Sequence, residues 1–249
     1  MPEPDLQVTQ DRLLGGRVTL LQPRRGHRAG TDAVLLAGLA DVRPGDLVAD
    51  LGAATGAVGL MIAAREPASR LVLVERDPDL AALAMQNIRA NHAADRAEVV
   101  RADLFWPASA RAEAGLRSGQ ADLVVTNPPF FEGEGRPSPE ARRRSAHEME
   151  GGGLAEWIAS AADLLRHRGR IAVIYRADGL RRCLAALERR FGSVIVTPVH
   201  PRAGEAASRI LVSAVKGGRA PLQLASPIIL HEADGSFTPA AAALHGSPT

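Results

Sequence analysis

One stretch of the sequence constrains the fold more than any other, because it predicts a strand, a tight loop and a helix in immediate succession. Residues 47–51 form a short apolar run that contains Asp50 and is typical of a buried strand. Gly52 and Gly56 follow, and their missing side chains permit a sharp turn. Residues 57–64 are apolar on almost every face, as in a helix buried against a sheet. We expect the first N–H groups of that helix to point at whatever the loop binds.

The glycine spacing in this loop separates two classes of ligand. Dinucleotide enzymes use Gly-x-Gly-x-x-Gly, because the backbone must approach the pyrophosphate closely. Here the glycines lie at positions 52, 56 and 59, so the second glycine of that pattern is missing. The segment from Asp50 to Gly56 instead resembles the Asp-x-Gly-x-x-x-Gly loop of class I S-adenosylmethionine (SAM) methyltransferases. An ordinary strand-to-helix turn is the alternative interpretation of this stretch taken alone.

The order of the remaining patterns predicts a doubly wound α/β fold. Apolar runs alternate with helical patterns and predict four further parallel strands, at residues 71–74, 98–101, 121–126 and 170–175. Two more strands, 193–196 and 209–216, are joined by a connection too short for a helical crossover, so we expect them to be antiparallel neighbours. The sequence therefore predicts a Rossmann-like, doubly wound seven-stranded sheet with an antiparallel edge strand.

The first 29 residues are predicted to be an N-terminal extension, outside a main domain that runs from residue 30 to residue 249. Residues 1–10 carry no regular pattern and are expected to lack secondary structure. Residues 17–23 follow a Gly-Gly turn and predict one strand of a small hairpin.

Several local signals predict where helices begin and end. Thr31 or Asp32 is expected to cap the first helix, and Asp77 with Pro78 the helix after the second core strand. Gly169 is expected to end a helix that begins at residue 154. The helix after Pro78 is expected to bury one stripe of side chains, namely Leu80, Leu83, Met85 and Ile88.

Composition excludes some classes of protein and leaves others open. The chain has 249 residues, 46% of them hydrophobic, which suffices for one large α/β domain. Its single cysteine, Cys183, excludes an intramolecular disulfide framework. The formal net charge of +2 points only weakly to an anionic partner. Because no stretch resembles a signal peptide or a membrane span, we expect a cytoplasmic protein without a membrane partner.

Acidic side chains follow the second and third core strands. Glu75 ends the second strand, where a carboxylate can accept hydrogen bonds from both hydroxyls of a ribose. Asp103 follows the third strand, where it can accept a hydrogen bond from an exocyclic amine such as that of adenine. A solvated strand end and a turn-forming aspartate are the respective alternatives. Thr31 and Asp32 can line the same pocket, besides acting as caps.

A second informative stretch is Asn127-Pro128-Pro129-Phe130, directly after the fourth strand. The two prolines fix the backbone and hold Asn127 extended, which makes a rigid platform at the carboxyl end of the sheet. Asn127 and the backbone of Pro128 offer carbonyl oxygens, which can accept hydrogen bonds from an amine. Phe130 offers a flat face for stacking, in a chain that is only 3% aromatic. The alternative, a generic turn, would be unusually constrained.

The segment from residue 131 to residue 153 is rich in glycine, proline and charge, and it is longer than a compact domain normally carries without a function. Its basic run, Arg142, Arg143 and Arg144, is predicted to contact RNA phosphates. A solvated helix start is the alternative interpretation.

Taken together, these motifs resemble those of the bacterial valine-tRNA adenine-N6-methyltransferase family, over residues 30–216 and into the tail. The resemblance implies a SAM-dependent enzyme that methylates N6 of adenine in tRNA and needs no metal. It implies that the target base is held by Asn127, Pro128, Pro129 and Phe130. It also implies that SAM is held by Gly30, Thr31, Asp32, Asp50, Gly52, Ala53, Gly56, Glu75, Arg76, Asp103, Leu104 and Asn127.

Other functions are compatible with the same motifs. Methyltransferases of guanine N2 in rRNA and of glutamine in proteins carry similar Asn-Pro-Pro sequences. A methyltransferase fold that is kept only as an RNA-binding module is a remoter alternative. The chain departs from the family at Ala54, where a second glycine is usual, and we expect the methyl group to crowd the cofactor or to reshape the loop. The sequence does not predict an oligomeric state.

Overall fold

A computed structural model describes residues 7–26, 28–129 and 153–246. Its strands are β1 (Val8–Leu13), β2 (Val18–Pro23), β3 (Leu47–Leu51), β4 (Arg70–Glu75), β5 (Ala97–Arg101), β6 (Ala121–Thr126), β7 (Leu165–Arg176), β8 (Phe191–Arg202), β9 (Arg209–Lys216), β10 (Gln223–Leu224) and β11 (Ile228–His231). Its helices are α1 (Thr31–Leu39), α2 (Ala57–Arg65), α3 (Pro78–Ala90), α4 (Ala108–Glu113), α5 (Leu154–Leu164), α6 (Leu180–Leu187) and α7 (Pro239–His245).

The central sheet confirms the predicted fold class. Its strands lie in the order β10-β8-β9-β7-β6-β3-β4-β5, and β11 also pairs with β8. Strands β3 to β7 are mutually parallel, whereas β9 runs antiparallel to both β7 and β8. The seven predicted strands are therefore all present. Two short strands from the tail, β10 and β11, extend the sheet by pairing in parallel with β8.

Two apolar layers enclose the sheet, because the parallel strands are apolar on both faces. On one face, alternate residues such as Ala49 and Val72 pack in a cluster with α5 and α6. On the other, their neighbours Val48 and Leu71 pack in a cluster with α1, α2 and α3. This arrangement leaves the carboxyl ends of β3 to β7 together at one edge, where open α/β sheets bind their ligands.

The predicted N-terminal hairpin is present, although β1 begins at Val8, so the expectation that residues 1–10 lack secondary structure is wrong for its last three residues. Two asparagines, Asn87 of α3 and Asn91 directly after it, hold the hairpin through its backbone. Asn87 accepts from the N–H of Leu21 (2.7 Å) and donates to its carbonyl (2.8 Å). Asn91 makes the same pair of bonds with Thr19 (2.9 and 2.7 Å). A domain boundary at residue 29 stays a prediction.

The predicted helix ends are partly wrong. The side chain of Asp77 does cap α3, since it accepts from two backbone N–H groups. Neither Thr31 nor Asp32 caps α1, whose N-cap is Gly30 without any side-chain hydrogen bond. Gly169 does not end α5, because the chain enters β7 at Leu165, where it pairs with β6.

One member of the predicted buried stripe of α3 is also wrong, because Met85 is 45% exposed. In the described ranges, no helix has the length and apolar character that a membrane crossing needs.

Candidate active site

The loop after β3 is held by the end of the neighbouring strand. The N–H groups of Gly52 and Ala53 both donate to the carbonyl of Val74, each at 3.0 Å. The carbonyl of Ala53 accepts from the N–H of Gly56 (2.7 Å), which is the N-cap of α2. The loop therefore rests on β4 through backbone hydrogen bonds, as the strand–turn–helix prediction requires.

Glu75 joins the loop to the start of α3. Its side chain is buried, and its two carboxylate oxygens accept from the N–H groups of Ala54 (2.8 Å) and Asp77 (2.9 Å). An ionised carboxylate has about four acceptor positions, so two remain for other donors. Glu75 is thus fixed at the carboxyl end of β4 with spare acceptor capacity.

Asp50 lies beneath the loop. Its carboxylate is buried and accepts from the N–H of Gly59 in α2 at 3.0 Å. A Cβ atom at Gly59 would come within 2.4 Å of the side chain of Leu73, so a larger residue would require the buried Leu73 to move. Burial, together with the nearby charge of Glu75, raises the pKa of Asp50 to about 7. Asp50 therefore joins β3 to α2, the two elements that flank the loop.

The departure at Ala54 has a visible consequence for the backbone. Ala54 is buried and adopts a left-handed conformation with φ of 48°. A Cβ atom is unfavourable in this region, which glycine adopts without that cost. The same conformation directs the N–H of Ala54 to Glu75. The expectation that the methyl group crowds the cofactor or reshapes the loop stays a prediction.

Asp103 follows β5 and makes the local contacts of a turn. One carboxylate oxygen accepts from the N–H of Phe105 (2.9 Å), and the other lies 3.4 Å from the guanidinium of Arg76. The side chain is 23% exposed, whereas Arg76 is 44% exposed. The alternative interpretation of Asp103 as a turn-forming residue is therefore correct, and it leaves the side chain accessible to a ligand.

Arg111 holds this turn in place, and sequence reasoning missed it. The side chain is buried and donates from Nη1 to the carbonyls of Leu104 (3.0 Å) and Trp106 (3.1 Å). It also donates to Ser160 of α5 (2.8 Å) and forms an ion pair with Asp163 (2.6 Å). Arg111 lies in the short helix α4, whose local pattern gives no signal of this role.

The end of β6 is connected to the loop after β3 by two hydrogen bonds. Thr126 donates to the carbonyl of Leu51 (2.9 Å) and accepts from the indole N–H of Trp157 (3.0 Å). Gly52 has φ of 70°, and a Cβ atom there would lie 3.1 Å from the Trp157 ring. The indole therefore packs directly beneath the exposed backbone of Gly52. Asn127, the next residue after Thr126, is exposed at the edge.

The residues around Asn127 are only partly described. Pro128 is buried and Pro129 half-buried, which anchors the segment directly after Asn127. Phe130 and the basic run Arg142, Arg143 and Arg144 lie outside the described residues, so their predicted roles stay predictions. Among the residues that the structure does describe, no group of three or more His, Cys, Asp or Glu side chains could hold a metal ion.

The start of α1 reaches toward the far strands of the sheet. Gly30 is exposed, and Thr31 is half-buried. The carboxylate of Asp32 forms an ion pair with Nε of Arg209 at the beginning of β9 (2.9 Å). Asp32 therefore pairs with Arg209, which is 177 positions away in the sequence, and does not cap its own helix.

The donors and acceptors at this edge fit SAM. Register pairs Leu51 with Val74 and Glu75 with Arg101, so the carboxyl ends of β3, β4 and β5 are consecutive neighbours. They carry an exposed loop glycine and two carboxylates, and Glu75 keeps spare acceptor positions. Hydroxyl groups of a ribose and an exocyclic amine need acceptors of this type.

Comparison with known proteins agrees with this arrangement. Residues 29–200 match the family described as methyltransferase small domain. A protein of Porphyromonas gingivalis named tRNA1(Val) (adenine(37)-N6)-methyltransferase is 31% identical over 221 residues, which are 85% of this chain and 84% of the relative. A protein of the same name from Aeromonas hydrophila is 30% identical over 222 residues, covering 86% of this chain and 87% of the relative.

Solved structures show the same fold. A structure from Agrobacterium tumefaciens, described as a predicted O-methyltransferase, has a TM-score of 0.73 and 33% identity. The alignment covers 88% of this chain and 98% of that one. A SAM-dependent O-methyltransferase from Thermotoga maritima, with a TM-score of 0.54 and 18% identity over 79% of this chain and 69% of that one, shares the fold.

The fold and the site define a class I methyltransferase, with S-adenosylmethionine as its cofactor. The chain belongs to the methyltransferase small domain family, and curated relatives at about 30% identity carry the name of a tRNA adenine-N6 enzyme.

Proposed function

We propose that the protein transfers a methyl group from SAM to N6 of adenine in tRNA. The observation that carries this proposal is the position of Asn127 and Pro128, directly beyond the carboxyl end of β6. Thr126 is paired in register with Leu51, so this segment leaves the sheet beside the loop of the cofactor site. A methyl donor and an amine acceptor can therefore meet at adjacent strand ends.

The chemistry needs positioning more than a strong base. SAM supplies a methyl group on a sulfonium centre, which is displaced in line by the lone pair of the acceptor nitrogen. The new bond is N–C, the bond broken is S–C, and the surplus amine proton passes to water. The amine of adenine is a weak nucleophile because its lone pair is delocalised into the ring. The side-chain carbonyl of Asn127 and the backbone carbonyl of Pro128 accept its N–H groups and favour a more tetrahedral nitrogen.

The cofactor half of the site has distinct roles in this proposal. Glu75 binds the ribose hydroxyls with its two remaining acceptor positions. Asp103 and the backbone at Leu104 bind the adenine of SAM, next to Arg76. Asp50 acts by joining the strand and the helix that flank the loop of Gly52, Ala53 and Gly56. The methionine end of the cofactor lies beside the start of α1, at Gly30, Thr31 and Asp32.

The substrate half needs an unpaired base. An adenine that is stacked in an RNA duplex cannot reach Asn127 and Pro128. It must first be unstacked and turned into the pocket. Phe130 then stacks on the base, and Arg142, Arg143 and Arg144 contact neighbouring phosphates. A tRNA substrate implies that the reaction takes place in the cytoplasm.

The relatives support the choice of substrate. The proteins of Porphyromonas gingivalis and Aeromonas hydrophila are named as enzymes of adenine N6 in a valine tRNA, and each aligns with most of this chain. The Agrobacterium tumefaciens structure is described as a predicted O-methyltransferase, which names an oxygen acceptor instead. The two acceptor carbonyls at Asn127 and Pro128 favour an amine, because they match its two N–H donors.

The direct test is to identify the methylated atom. The purified protein and isotope-labelled SAM are incubated in three separate reactions with total tRNA, with rRNA and with ribosome-associated protein. These substrates come from a strain in which the gene for this protein is deleted, so that they are not already methylated. Nucleosides and amino acids are then separated and identified by mass spectrometry. We expect labelled N6-methyladenosine from tRNA alone. Label in guanine of rRNA, in glutamine or on a ribose oxygen would contradict the proposal.

A further inference from the structure

Two arginines face each other at the carboxyl edge of the sheet. β7 ends at Arg176 and β9 begins at Arg209, and the two residues are register partners in this antiparallel pair. Directly opposed residues of such a pair have Cβ atoms about 4.5–5.5 Å apart, and like charges in this arrangement are destabilising. Because this repulsion lies at the ligand-binding edge of the sheet, we expect the two positive charges to bind a ligand.

Among the described residues, two carboxylates pair with these arginines and offset the repulsion. Nε of Arg176 donates to Asp178 (2.8 Å), and a terminal nitrogen contacts the second oxygen of that carboxylate. Arg209 is paired with Asp32. A hydrogen bond from Arg176, with the charges of both arginines, lowers the pKa of Asp178 despite partial burial. The four side chains therefore form one electrostatic unit, which we call the paired-arginine cluster.

The cluster is accessible to a ligand. Arg176 and Arg209 are 36% and 33% exposed, and Asp178 is 62% exposed. Ion pairs at this exposure contribute little stability, so their carboxylates can be exchanged for a better partner. Among the described residues, Nη2 of Arg209 has no hydrogen-bond partner, whereas Nε and Nη1 are bound.

A cavity of about 340 Å³ lies against the cluster. It is lined by Arg176, Asp178, Ala207, Ser208 and Arg209. This volume lies at the lower end of the range for small-molecule sites and suits a single phosphate with its sugar. Both arginines lie on its wall, where two guanidinium groups can bind phosphate oxygens as paired donors.

The cavity lies in the substrate half of the edge. β7 is the neighbour of β6, and Thr126 is paired in register with Val173. Because Arg176 follows Val173 by three residues, it lies beyond the carboxyl end of β6. Asn127 also lies beyond that end, so the two residues are on the same side of the sheet edge. An RNA whose target base is held at Asn127 must run its backbone past a neighbouring strand end.

We propose that Arg176 and Arg209 bind a phosphodiester of the RNA next to the target nucleotide. Asp178 and Asp32 hold the two guanidinium groups in position before RNA arrives and yield part of their hydrogen bonding when the phosphate enters. This assignment rests on the proposed function, because it needs an RNA substrate.

The test uses two variants with opposite expected effects and a matched control. Arg176→Gln removes a charge of the cluster, whereas Asp178→Asn keeps both arginines and removes a competing carboxylate. Arg166→Gln is the control, because Arg166 forms an exposed pair with Asp122 at the opposite, amino edge of the sheet. For each protein, tRNA binding is measured at several salt concentrations, SAM binding by calorimetry, and KM and kcat for methylation of tRNA.

Arg176→Gln should raise KM for tRNA about tenfold and reduce the slope of log K against log salt by about one. Asp178→Asn should lower KM severalfold, which loss of a merely structural contact would not do. Both variants and the control should bind SAM as the wild type does.

The outcomes separate the two proposals. A wild type that methylates tRNA, with salt slopes unchanged in Arg176→Gln or with KM raised in Asp178→Asn, overturns the phosphodiester assignment alone. The same holds if Arg166→Gln has as large an effect on tRNA as Arg176→Gln. A wild type that neither binds nor methylates tRNA overturns the proposed function, and the assignment falls with it.

Discussion

The two halves of the carboxyl edge satisfy their charged groups in different ways. In the cofactor half, Asp50, Glu75 and Asp103 each accept from backbone N–H groups, which belong to α2, to the loop after β3 and to the turn after β5 respectively. At the ends of β7 and β9, Arg176 and Arg209 pair instead with side-chain carboxylates, those of Asp178 (62% exposed) and Asp32 (30% exposed). Backbone donors cannot move without moving the helix or loop that carries them, whereas partly exposed side chains can exchange partners. The comparison suggests a preorganised cofactor site beside a substrate site that adjusts to its ligand.

The largest effect that tests this division is expected at Asn127. Asn127→Ala should leave SAM binding and stability almost unchanged, because the side chain is exposed and lies outside the network of the cofactor loop. The rate of methyl transfer should fall by about 10²–10³, the effect of losing one aligned polar group in a transition state. Single-turnover kinetics and calorimetry measure the two quantities. Gln223→Ala, an exposed amide on β10, is the control and should change neither.

If Asn127→Ala weakened SAM binding as much as it slowed the reaction, the two halves would not be separable. If it retained full turnover, Asn127 would not orient the amine, and the proposed reaction would lose its principal support.

The second prediction concerns the charge buried beneath the cofactor loop. The pKa of Asp50 is raised to about 7 in the folded protein, against 3.8 in an unfolded chain. Between these values the folded state keeps a proton that the unfolded state releases, so stability falls as pH rises from 4 to 7. Asp50→Asn mimics the protonated form and can still accept from Gly59. It should therefore be as stable as the wild type near pH 4 and more stable at pH 8.

The gain at pH 8 should amount to a few kcal/mol, because a tenfold change in a protonation equilibrium corresponds to about 1.4 kcal/mol. Asp122→Asn is a control of opposite sign. Although burial opposes the effect, hydrogen bonds from Leu47 and Arg166 lower the pKa of Asp122, so its stabilising contribution is present above pH 4 and is lost in acid. Its replacement should destabilise the protein at pH 8. Denaturant titrations of the wild type and both variants at pH 4 and pH 8 measure these differences in the free energy of unfolding. An equal gain in stability for Asp50→Asn at both pH values would contradict the raised pKa of Asp50.

How much could be predicted from the sequence depends on how far apart in the chain the contacting residues are. The strand–loop–helix stretch at Asp50 and the cap at Asp77 depend on residues that are close in the chain, and both are present. Glu75 lies at the end of β4 as expected, because a strand's end is visible in its apolar pattern. What the sequence could not reveal is the direction of each carboxylate, which depends on backbone donors of the loops.

Other contacts at the carboxyl edge join residues that are distant in the chain. Asp32 has the local features of a cap, but Arg209 engages it from β9. Arg111 binds the turn at Leu104 from a helix with no distinctive pattern. Trp157 supports Gly52 from α5, and only its rarity in an aromatic-poor chain could have drawn attention to it. Such contacts arise from strand order and register, which periodicity does not encode.

A third prediction tests whether the cofactor half is preorganised. Glu75→Gln replaces one acceptor oxygen by an NH₂ group, which must then face the N–H of either Ala54 or Asp77. A buried donor left without an acceptor costs about 1–3 kcal/mol, so SAM affinity should fall about 5- to 150-fold with some loss of stability. Calorimetry with SAM measures this. Glu66→Gln, which affects a carboxylate that accepts from Ala68 at the other end of α2, should bind SAM normally. Unchanged SAM affinity in Glu75→Gln would remove Glu75 from the cofactor site.

The smallest effect is expected at Ala54, where the backbone of the cofactor loop carries strain. Its left-handed conformation is unfavourable by about 1–2 kcal/mol for a residue with a Cβ atom, and glycine escapes this cost. Glycine also makes the unfolded chain more flexible, which offsets part of the gain, so Ala54→Gly should stabilise the protein by about 1 kcal/mol or less. Ala53→Gly is the matched control, because Ala53 is equally buried and lies outside the left-handed region.

That control should lose about 0.5–1 kcal/mol, since it gains only the flexibility of the unfolded chain. Ala54→Gly keeps the N–H that donates to Glu75, so its SAM affinity should stay within a few-fold of the wild type. Chemical denaturation of the two variants, compared at one pH, measures the difference in sign. If both variants lost stability equally, Ala54 would carry no strain. If Ala54→Gly were more stable but bound SAM far more weakly, the strained alanine would itself be part of the preorganisation that distinguishes the cofactor half from the substrate half.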